Sequence, residues 1–425
     1  MPLPKIKFLL YAILLGSAPV LAQNTSGGSP YSKYGIGDLR GTDFALTRSM
    51  GGANLGLQNV TQINLGNPAS LAALKITSLE IGAEGRGLKL QTNNQSLTKN
   101  YQNLSYIALG FPVGKHFGTS FGLMPYSRVD YNIVNAIRNV PIARNEIYKG
   151  TGGANKYFLA LGAKINKNFY VGATANYLDG SIREEIFIVF PDTGAYYNQR
   201  TTKATEPNGL LFSGGLQYKA KLKENSNLTI GTTYQHQQNV NTLFIRTTDR
   251  FRLGREGQYI IKDTILSQNT KTKTVVPSTF GIGVCYEPNA KLLLSADYSR
   301  QNWQNAKIIA STDSLTTRQT IALGMQYTPS KTALRGQYFK VVSYRLGGYY
   351  TQSQIVVNNL QIREFGVSAG MGLPITDRVA FSQCNLTIDA GQRGTLQNSL
   401  ILERFVRLTV GFTLSDKWFI KRKYD

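Results

Sequence analysis

Few residues in this sequence have the types and spacing that catalysis requires. His116 and His236 are the only histidines, and neither is predicted beside a nucleophile and an orienting group, because His116 falls in a turn and His236 stands among glutamines. Gly51, Gly52 and Gly56 lack the preceding strand and following helix of a nucleotide-binding loop. We therefore predict that the protein is not an enzyme and that it uses no cofactor and no metal.

Charged residues within alternating apolar segments are the sharper candidates for a binding site. Arg345, Arg407, Lys219 and Asp297 are assigned to the interior of the predicted sheet structure or to the ends of its strands. A charge on a lipid-facing side at mid-depth would cost about 2–4 kcal/mol, so inward positions are expected. There they could line a pore or meet a ligand carboxylate. Alternatively, they pair with one another, and this alternative is favoured for any single residue.

The composition restricts the elements that could position these residues. Of the 425 residues, 42% are hydrophobic but only 17% are charged, below the roughly 25% of an average soluble protein. Past the N-terminus, no apolar run approaches the roughly 18 residues that a membrane-spanning helix requires. A helical membrane protein is therefore excluded, and a β-rich chain remains.

The first residues predict export from a bacterial cytoplasm. Lys5 and Lys7 precede an apolar stretch, and small residues then lead to Ala22, as in a secretory signal peptide cleaved after that alanine. The formal charge of +23 falls to about +21 without the two lysines. Nucleic acid is not expected as a partner of an exported protein. The basic excess is expected to face anionic lipid, lipopolysaccharide phosphates or acidic ligands.

From Ile76 onward, segments of about ten residues alternate apolar and polar side chains. In one of them Val406 and Leu408 lie on one face and Arg407 on the other. This period of two is typical of strands with one apolar face. Fourteen such segments can be counted, and the even number predicts a closed antiparallel transmembrane β-barrel over residues 76–414. Closure is required because an open sheet edge in hydrocarbon would leave backbone groups unpaired.

The connections between these segments alternate in length. Short ones, such as 112–115 and 166–168, take turns with long polar ones at 132–153, 189–208 and 247–278. Outer-membrane barrels have short periplasmic turns and long extracellular loops. A soluble β-sandwich has no reason to sort its loops in this way. The pattern therefore predicts a location in a bacterial outer membrane.

Four arginines lie within the longest polar connection or directly before it, Arg246, Arg250, Arg252 and Arg255. Their guanidinium groups could hold lipopolysaccharide phosphates through bidentate hydrogen bonds. Equally, they could form a solvated loop surface. Outer-membrane lipid and lipopolysaccharide therefore enter as predicted partners, with both interpretations open.

Several motifs resemble those of a known family. Arg48-Ser-Met-Gly-Gly-Ala-Asn, followed by Asn67-Pro68-Ala69-Ser70-Leu71, resembles the plug-to-barrel entry of the FadL/TodX outer-membrane transporters of long-chain fatty acids and other hydrophobic compounds. The stretch from Val276 to Trp303 resembles the central barrel region of that family. The opening Ser29–Gly37 and the ending Gly411–Phe419 are similar to its Bacteroidota branch. The resemblance implies a fourteen-stranded barrel with an N-terminal hatch, or plug, inside the lumen.

The most specific of these motifs is the predicted hatch-to-barrel motif, Asn67, Pro68 and Ala69. Pro68 fixes its own backbone, lacks an N–H donor and restricts Asn67 to extended conformations, as expected where a plug segment leads into a strand. The predicted parts of the chain are a signal peptide (1–22), an N-terminal hatch (23–75), the barrel (76–414) and a basic C-terminal tail (415–425).

The resemblance implies passive uptake of hydrophobic compounds, such as long-chain fatty acids, across the outer membrane. In that family, an apolar cavity holds the ligand, and hatch movement with a gap in the wall releases it sideways into the bilayer. The alternative is a structural or secretion-associated outer-membrane barrel that docks a protein partner through its extracellular loops. An apolar ligand-lined cavity would favour transport, whereas a filled lumen and an exposed apolar loop patch would favour docking.

Overall fold

The computed structural model describes residues 28–138, 142–191, 196–254, 258–306, 315–330, 337–375 and 382–416. The predicted signal peptide, the first residues of the predicted hatch, Arg255 and the predicted tail beyond Asp416 lie outside these residues. The described chain consists mostly of strands. None of its helices is both long and apolar enough to cross a membrane.

The regular structure of the described residues comprises strands, one short α-helix and several 3₁₀ helices. The strands are β1 (Asp38–Leu39), β2 (Thr77–Gln91), β3 (Ser96–Val113), β4 (Phe117–Ile137), β5 (Arg144–Lys164), β6 (Phe169–Val189), β7 (Asn198–Lys223), β8 (Ser226–Gln235), β9 (Gln238–Leu253), β10 (Tyr259–Val276), β11 (Thr279–Glu287), β12 (Leu292–Asn302), β13 (Thr317–Tyr327), β14 (Ser343–Val357), β15 (Leu360–Pro374), β16 (Gln383–Arg393) and β17 (Leu402–Asp416). The α-helix α1 is Ala45–Arg48, and the 3₁₀ helices are Pro30–Lys33, Pro68–Ala73, Trp303–Asn305, Tyr338–Lys340 and Gln397–Ser399.

Strands β2 to β17 form one antiparallel barrel, which closes because the last strand pairs with the first. The pairing of β17 with β2 runs from Leu402 opposite Gln91 to Asp416 opposite Thr77. β8 and β9 both pair with β7, one along each half of it, so β9 continues the line of β8. β10 likewise continues the line of β11. The sixteen segments thus occupy fourteen positions, and the predicted fourteen-stranded barrel is confirmed.

Side chains alternate across this wall as the sequence pattern predicts. In β17, Val406 and Leu408 are 52% and 53% exposed on the outer face, whereas Thr409 is buried on the inner face. Similar outward-facing apolar side chains occur around the barrel, for example Leu161 and Phe212. A belt of this kind suits contact with hydrocarbon.

The prediction that the three long polar connections are loops is wrong, because most of their residues form paired strands. β4 and β5 pair as far as Ile137 opposite Arg144, and β9 and β10 pair from Gln238 opposite Val276 to Leu253 opposite Tyr259. These strands run past the apolar belt, where water reaches both faces and the alternation of apolar residues is lost. We call this end of the barrel the hairpin end and the opposite end the turn end.

Residues 28–76, here called the N-terminal segment, lie against the inner face of the wall. Near the hairpin end, the Tyr31 hydroxyl donates to the carbonyl oxygen of Ile401 at 2.6 Å. Deeper in the lumen, the Ala45 N–H donates to the Tyr106 hydroxyl at 3.0 Å. The segment therefore extends along the lumen before β2 begins. The exact division of the chain into hatch and barrel stays a prediction.

Glycines of the wall leave room for the N-terminal segment. A Cβ on Gly231 would lie 1.9 Å from the carbonyl oxygen of Leu55, and one on Gly118 would lie 2.0 Å from that of Leu71. Only a residue without a side chain allows such close approach of two backbones. We call these wall positions the glycine collar: Gly110, Gly118, Gly162, Gly172, Gly215, Gly231, Gly281, Gly283, Gly324, Gly347, Gly370 and Gly411.

Adding one methyl group to the collar is expected to destabilise the barrel. In a Gly215→Ala variant, the new Cβ would lie 2.1 Å from Asn67 Oδ1 and 2.8 Å from Pro68 Cδ. Overpacking of this kind costs about 1–3 kcal/mol. We expect a lower temperature for loss of the fast-migrating folded band in SDS gel electrophoresis.

The adjacent Gly214→Ala variant is the matched control for Gly215→Ala. Its Cβ would have the carbonyl oxygen of Gly172 as its nearest neighbour, at 3.8 Å, which is an ordinary contact. Equal melting temperatures for the two variants would contradict the assignment of the collar.

Candidate functional site

A cavity of about 390 Å³, the lumen cavity, lies between the N-terminal segment and the wall. Its lining is rich in charged side chains and differs from the apolar cavity expected of a hydrophobic-compound transporter. The cationic residues that line it are Arg40, Arg48, Arg86, Lys156, Arg318, Arg393 and Arg407, and the acidic ones are Asp38, Asp43, Asp297, Glu364 and Asp389.

Asp297, one of the predicted site residues, lines this cavity and holds the N-terminal segment. Its Oδ2 accepts hydrogen bonds from the backbone N–H groups of Asn54 at 2.6 Å and Leu55 at 2.8 Å. Its Oδ1 is buried without a hydrogen-bond partner among the described residues. One carboxylate oxygen thus anchors the segment, and the other lies against the wall, where a Cβ on Gly283 would be 2.1 Å from it.

The other predicted site residues mostly have partners within the wall. Arg407 lines the cavity with its Nε 3.7 Å from Asp389 Oδ1. Arg345 is buried outside the cavity lining and donates hydrogen bonds to Gln326 and Asn385, both at 2.7 Å. The structure therefore brings Arg407 and Asp297 to one cavity and leaves Arg345 apart. Lys219 is not among the residues that line it. A ligand-binding role for Arg345, Arg407 and Asp297 stays a prediction.

Asp38 joins the N-terminal segment to arginines on two wall strands. Its Oδ1 is 2.7 Å from Arg393 Nη1, and its Oδ2 is 3.7 Å from Arg86 Nη1. Burial would raise the pKa of Asp38, but the guanidinium groups of Arg393, Arg40 and Arg86 outweigh burial and hold that pKa well below its usual range. Because the folded-state pKa is depressed, these ion pairs stabilise the protein at neutral pH, and the stabilisation is lost as acid protonates the carboxylate.

Asp43, a second carboxyl of the segment, has its pKa shifted in the opposite direction. Burial raises the pKa of Asp43 above its usual value, against the opposing charges of Arg48 and Arg407. Its Oδ1 accepts a hydrogen bond from Asn54 Nδ2 at 2.9 Å. The pKa values of the two acids therefore shift in opposite directions. Asp38 has direct arginine partners, whereas Asp43 accepts its hydrogen bond from an amide.

The barrel wall has a gap between β3 and β4. These strands pair only from Val113 opposite Phe117 to Ile107 opposite Leu123, although both continue toward the hairpin end. Above that point β3 stays paired with β2, and β4 stays paired with β5. The two-residue strand β1 of the N-terminal segment pairs with β4 on the inner side of the gap.

Two irregularities in the strands explain where the gap begins. The β4–β5 register shifts between Pro125 and Ser127, and the β2–β3 register shifts between Gly82 and Ala83, opposite Ser105. Proline has no N–H to donate to a neighbouring strand. A bulge bends its strand and increases the local twist. With one irregularity on each side, β3 and β4 diverge.

A second, much smaller cavity of about 20 Å³ lies at the gap. It shares Arg40, Gly41, Asp43 and Arg48 with the lining of the lumen cavity. These four residues therefore stand between the two spaces. The small volume has room for about one water molecule, so larger molecules require these residues to move.

Glu84 on β2 fixes the residues that separate the two cavities. Its Oε1 lies 2.8 Å from Arg40 Nη1, and its Oε2 lies 3.2 Å from Arg48 Nη1. The Glu84 side chain is 5% exposed, and those of the two arginines are 12% and 13% exposed. One carboxylate thus holds these two arginines of the segment against the wall.

Arg128 on β4 is a cation at the gap, and none of the described acidic residues forms an ion pair with it. It lines the small cavity, and in the described part of the chain it forms no ion pair. Its Nε is buried and has no hydrogen-bond partner among those residues. Such a group has the chemistry to bind an anion at the gap.

The predicted motif at Asn67 fixes the end of the N-terminal segment. Asn67 has an extended backbone and its Oδ1 accepts from the Ala69 N–H at 3.1 Å. The motif was expected to lead directly into a strand. Instead it leads into the 3₁₀ helix Pro68–Ala73, and β2 begins after that helix. Proline suits the start of such a helix because the first N–H groups of a helix lack internal partners.

Two of the four arginines expected at lipopolysaccharide, Arg250 and Arg252, have contacts within the protein. Arg250 donates from Nε to Asp263 Oδ1 at 2.8 Å, and the Arg252 guanidinium lies 4.6 Å from the ring centre of Tyr197. Arg246 is exposed on β9. Lipopolysaccharide binding by these residues stays a prediction.

Sequence comparison identifies the family of this chain. A protein-family model, BamG, matches residues 5–425. The chain belongs to the BamG family. No curated protein sequence matches this BamG-family chain. The predicted resemblance to FadL/TodX proteins is therefore supported at the level of the fold, whereas the family model that matches the sequence is BamG.

Solved structures show that fold in detail. The toluene transporter TodX of Pseudomonas putida is 14% identical, with a TM-score of 0.59 over 90% of this BamG-family chain and 99% of TodX. The CymD monoaromatic hydrocarbon channel is 14% identical, with a TM-score of 0.56 over 88% and 97%. A Pseudomonas aeruginosa FadL homologue is 10% identical, with a TM-score of 0.54 over 89% of this chain and 98% of the homologue. At these identities the likeness establishes the fold alone.

Proposed function

We propose that the protein is a bacterial outer-membrane channel for passive uptake of hydrophobic compounds that carry an anionic group, with long-chain fatty acids as the simplest members. The proposal includes a cleaved signal peptide over residues 1–22 and membership of a Bacteroidota lineage. The hairpin end faces the outside, and the turn end faces the periplasm. The wall gap beside a cation-lined lumen, in a fold shared with channels for hydrophobic compounds, carries the proposal.

The charges of the lumen select among hydrophobic compounds. A neutral hydrocarbon in the lumen cavity would displace water from several charged groups without replacing their hydrogen bonds, which is unfavourable. A carboxylate can instead accept charge-assisted hydrogen bonds from the arginines of the lumen cavity and, at the gap, from Arg128 in the small cavity. Its alkyl chain gains about 0.8 kcal/mol per methylene by leaving water, and the gap offers a route to lipid once the residues between the two cavities move. Fatty acids therefore fit this lumen better than aromatic hydrocarbons do.

An Arg128→Glu variant tests this route. We expect at least tenfold weaker binding of palmitate to the detergent-solubilised protein by isothermal titration calorimetry, because a charge-assisted hydrogen bond contributes about 1.5–3 kcal/mol. The matched control is Arg404→Glu, which changes the same charge at an exposed position on β17. Unchanged palmitate affinity in Arg128→Glu, or no binding by the wild type, would contradict the proposal.

The second candidate function is a structural or secretion-associated barrel that docks a protein partner. The filled lumen favours it, because the N-terminal segment is fitted against the glycine collar and is joined to the wall through Asp38 and Glu84. A lumen occupied in this way supports a rigid scaffold without requiring passage of a solute. Absence of palmitate binding in the experiment above would favour this candidate over transport.

A further inference from the structure

The hairpin formed by β9 and β10 stands above the apolar belt of the barrel. β11, which continues from β10, is a nine-residue strand with outward-facing Phe280, Ile282, Val284 and Tyr286. About nine to eleven residues suffice for a tilted strand to cross hydrocarbon. On the proposed orientation, the eighteen residues of β10 therefore lie outside the membrane. At about 3.3 Å per residue they extend over roughly 60 Å.

Among the residues that the structure describes, one edge of β10 has no paired strand. Its other edge pairs with β9 along the whole strand, and β9 in turn pairs with β7. β12 is the neighbour of β11 and pairs with it only as far as Gln301 opposite Thr279. β12 therefore does not extend alongside β10. Among the described strands, only β9 has residues paired with β10, because β1 pairs with β4 and β11 pairs with β8 and β12. An unpaired edge presents a row of N–H and C=O groups to another strand.

The sequence of β10 suits strand pairing along its lower half. From Leu266 to Val276 the register with β9 has no shift, and this stretch contains no proline. Two register shifts occur nearer the tip, between Ile261 and Asp263 and between Thr264 and Leu266. Bulges protect an edge from pairing because they twist it away. The regular edge is therefore the part from residue 266 to residue 276.

The charge of β10 indicates what kind of strand it would accept. Lys271 and Lys273 are both exposed and lie two positions apart, so they share a face of the strand. Asp263, the only acidic residue in β10, pairs with Arg250 on β9. A partner strand with carboxylates two positions apart would place them beside the lysines. Opposite charges on adjacent strands contribute roughly 0.2–1 kcal/mol per pair.

We propose that the free edge of β10 is a docking surface for an extended acidic segment of a protein partner, which adds to the sheet as a further antiparallel or parallel strand. Backbone hydrogen bonds along residues 266–276 hold the segment, and Lys271 and Lys273 select its charge. This inference rests on the docking role given above as the second candidate function. It assigns that role to a surface outside the lumen.

The first test uses the full chain in lipid nanodiscs and a dye-labelled peptide of about ten residues that alternates glutamate and valine. We expect the peptide to bind more tightly than a lysine–valine peptide of equal length, and to slow amide hydrogen exchange over residues 266–276. A Lys271→Glu/Lys273→Glu variant should lower its affinity at least tenfold. The matched control is Lys221→Glu/Lys223→Glu, which makes the same change at the turn end of β7.

Several outcomes of this test would overturn the proposal. They are equal affinity for the two peptides, unchanged exchange in β10, and equal loss of affinity in the control variant. Binding of lipopolysaccharide vesicles through the two lysines without amide protection would assign the surface to lipid. Self-association abolished by the same variant would assign it to a second copy of the chain.

A second test places a photo-crosslinking amino acid at Asn269, which is exposed on β10, in growing cells. The proposal requires the crosslinked peptide to come from an extended acidic segment of an envelope protein. A partner that still crosslinks to another hairpin but not to residue 269 would overturn the assignment to β10 and leave the docking role itself standing.

Discussion

Replacement of Asn67 by aspartate is expected to destabilise the folded protein by about 3–5 kcal/mol, the cost of leaving a buried charge without a partner. Asn67 is fully buried, and its Nδ2 donates toward the carbonyl oxygens of Leu55 at 3.1 Å, Leu216 at 3.0 Å and Thr232 at 3.3 Å. Aspartate has no donor and would place a carboxylate against three carbonyl oxygens. The folded band in SDS gel electrophoresis should melt at a much lower temperature than in the wild type.

An Asn59→Asp variant is the control for this substitution. Asn59 acts through its Oδ1, which accepts from the N–H of Thr61 at 2.9 Å and from its hydroxyl at 3.1 Å. A carboxylate preserves both hydrogen bonds, so the melting temperature should hardly change. Equal melting temperatures for Asn67→Asp and Asn59→Asp would show that the side chain of Asn67 does not fix the N-terminal segment to the wall.

Replacement of Glu84 by glutamine is expected to release part of the N-terminal segment while the barrel stays closed. The change leaves Arg40 and Arg48 without their shared carboxylate, and a buried ion pair that loses one partner costs about 3 kcal/mol or more. The hydrogen bonds of the wall remain, so the expected opening is local. Because trypsin cleaves after arginine, we expect rapid cleavage after residues 40 and 48 in the variant and protection in the wild type.

A Glu364→Gln variant is the control for the release of the segment. Glu364 lies 4.0 Å from Arg393, but that arginine keeps Asp38 at 2.7 Å, so it does not lose its carboxylate partner. Trypsin should cleave this variant no faster than the wild type. Equal cleavage of Glu84→Gln and Glu364→Gln would show that Glu84 has no special role at the gap.

The barrel could be predicted because the bilayer imposes a simple pattern. Wherever one face meets lipid and the other the lumen, residues alternate, as Val406, Arg407 and Leu408 do. The hairpin of β9 and β10 could not be predicted in the same way. Its residues, such as Ile260, Ile261 and Lys262, are exposed regardless of position, so no period of two identifies them as a strand.

The site was predictable only in part, because its contacts join residues that are distant in sequence. Asp297 and Arg407 were placed in the lumen by alternation, but their partners were not evident. The pair of Asp38 with Arg393 spans 355 positions, and no local pattern indicates it. Glu84 and Arg86 were missed, although their spacing of two within β2 places both charges on one face.

The glycine collar has a consequence for the order in which the molecule assembles. A segment that touches the wall at so many strands, with no space for even a methyl group at Gly118 or Gly231, cannot be threaded into a finished cylinder. The wall is complete only when β17 pairs with β2, the strand that directly follows this segment. We therefore expect the N-terminal segment to be in place before the first and last strands pair. The remaining strands then assemble around this segment.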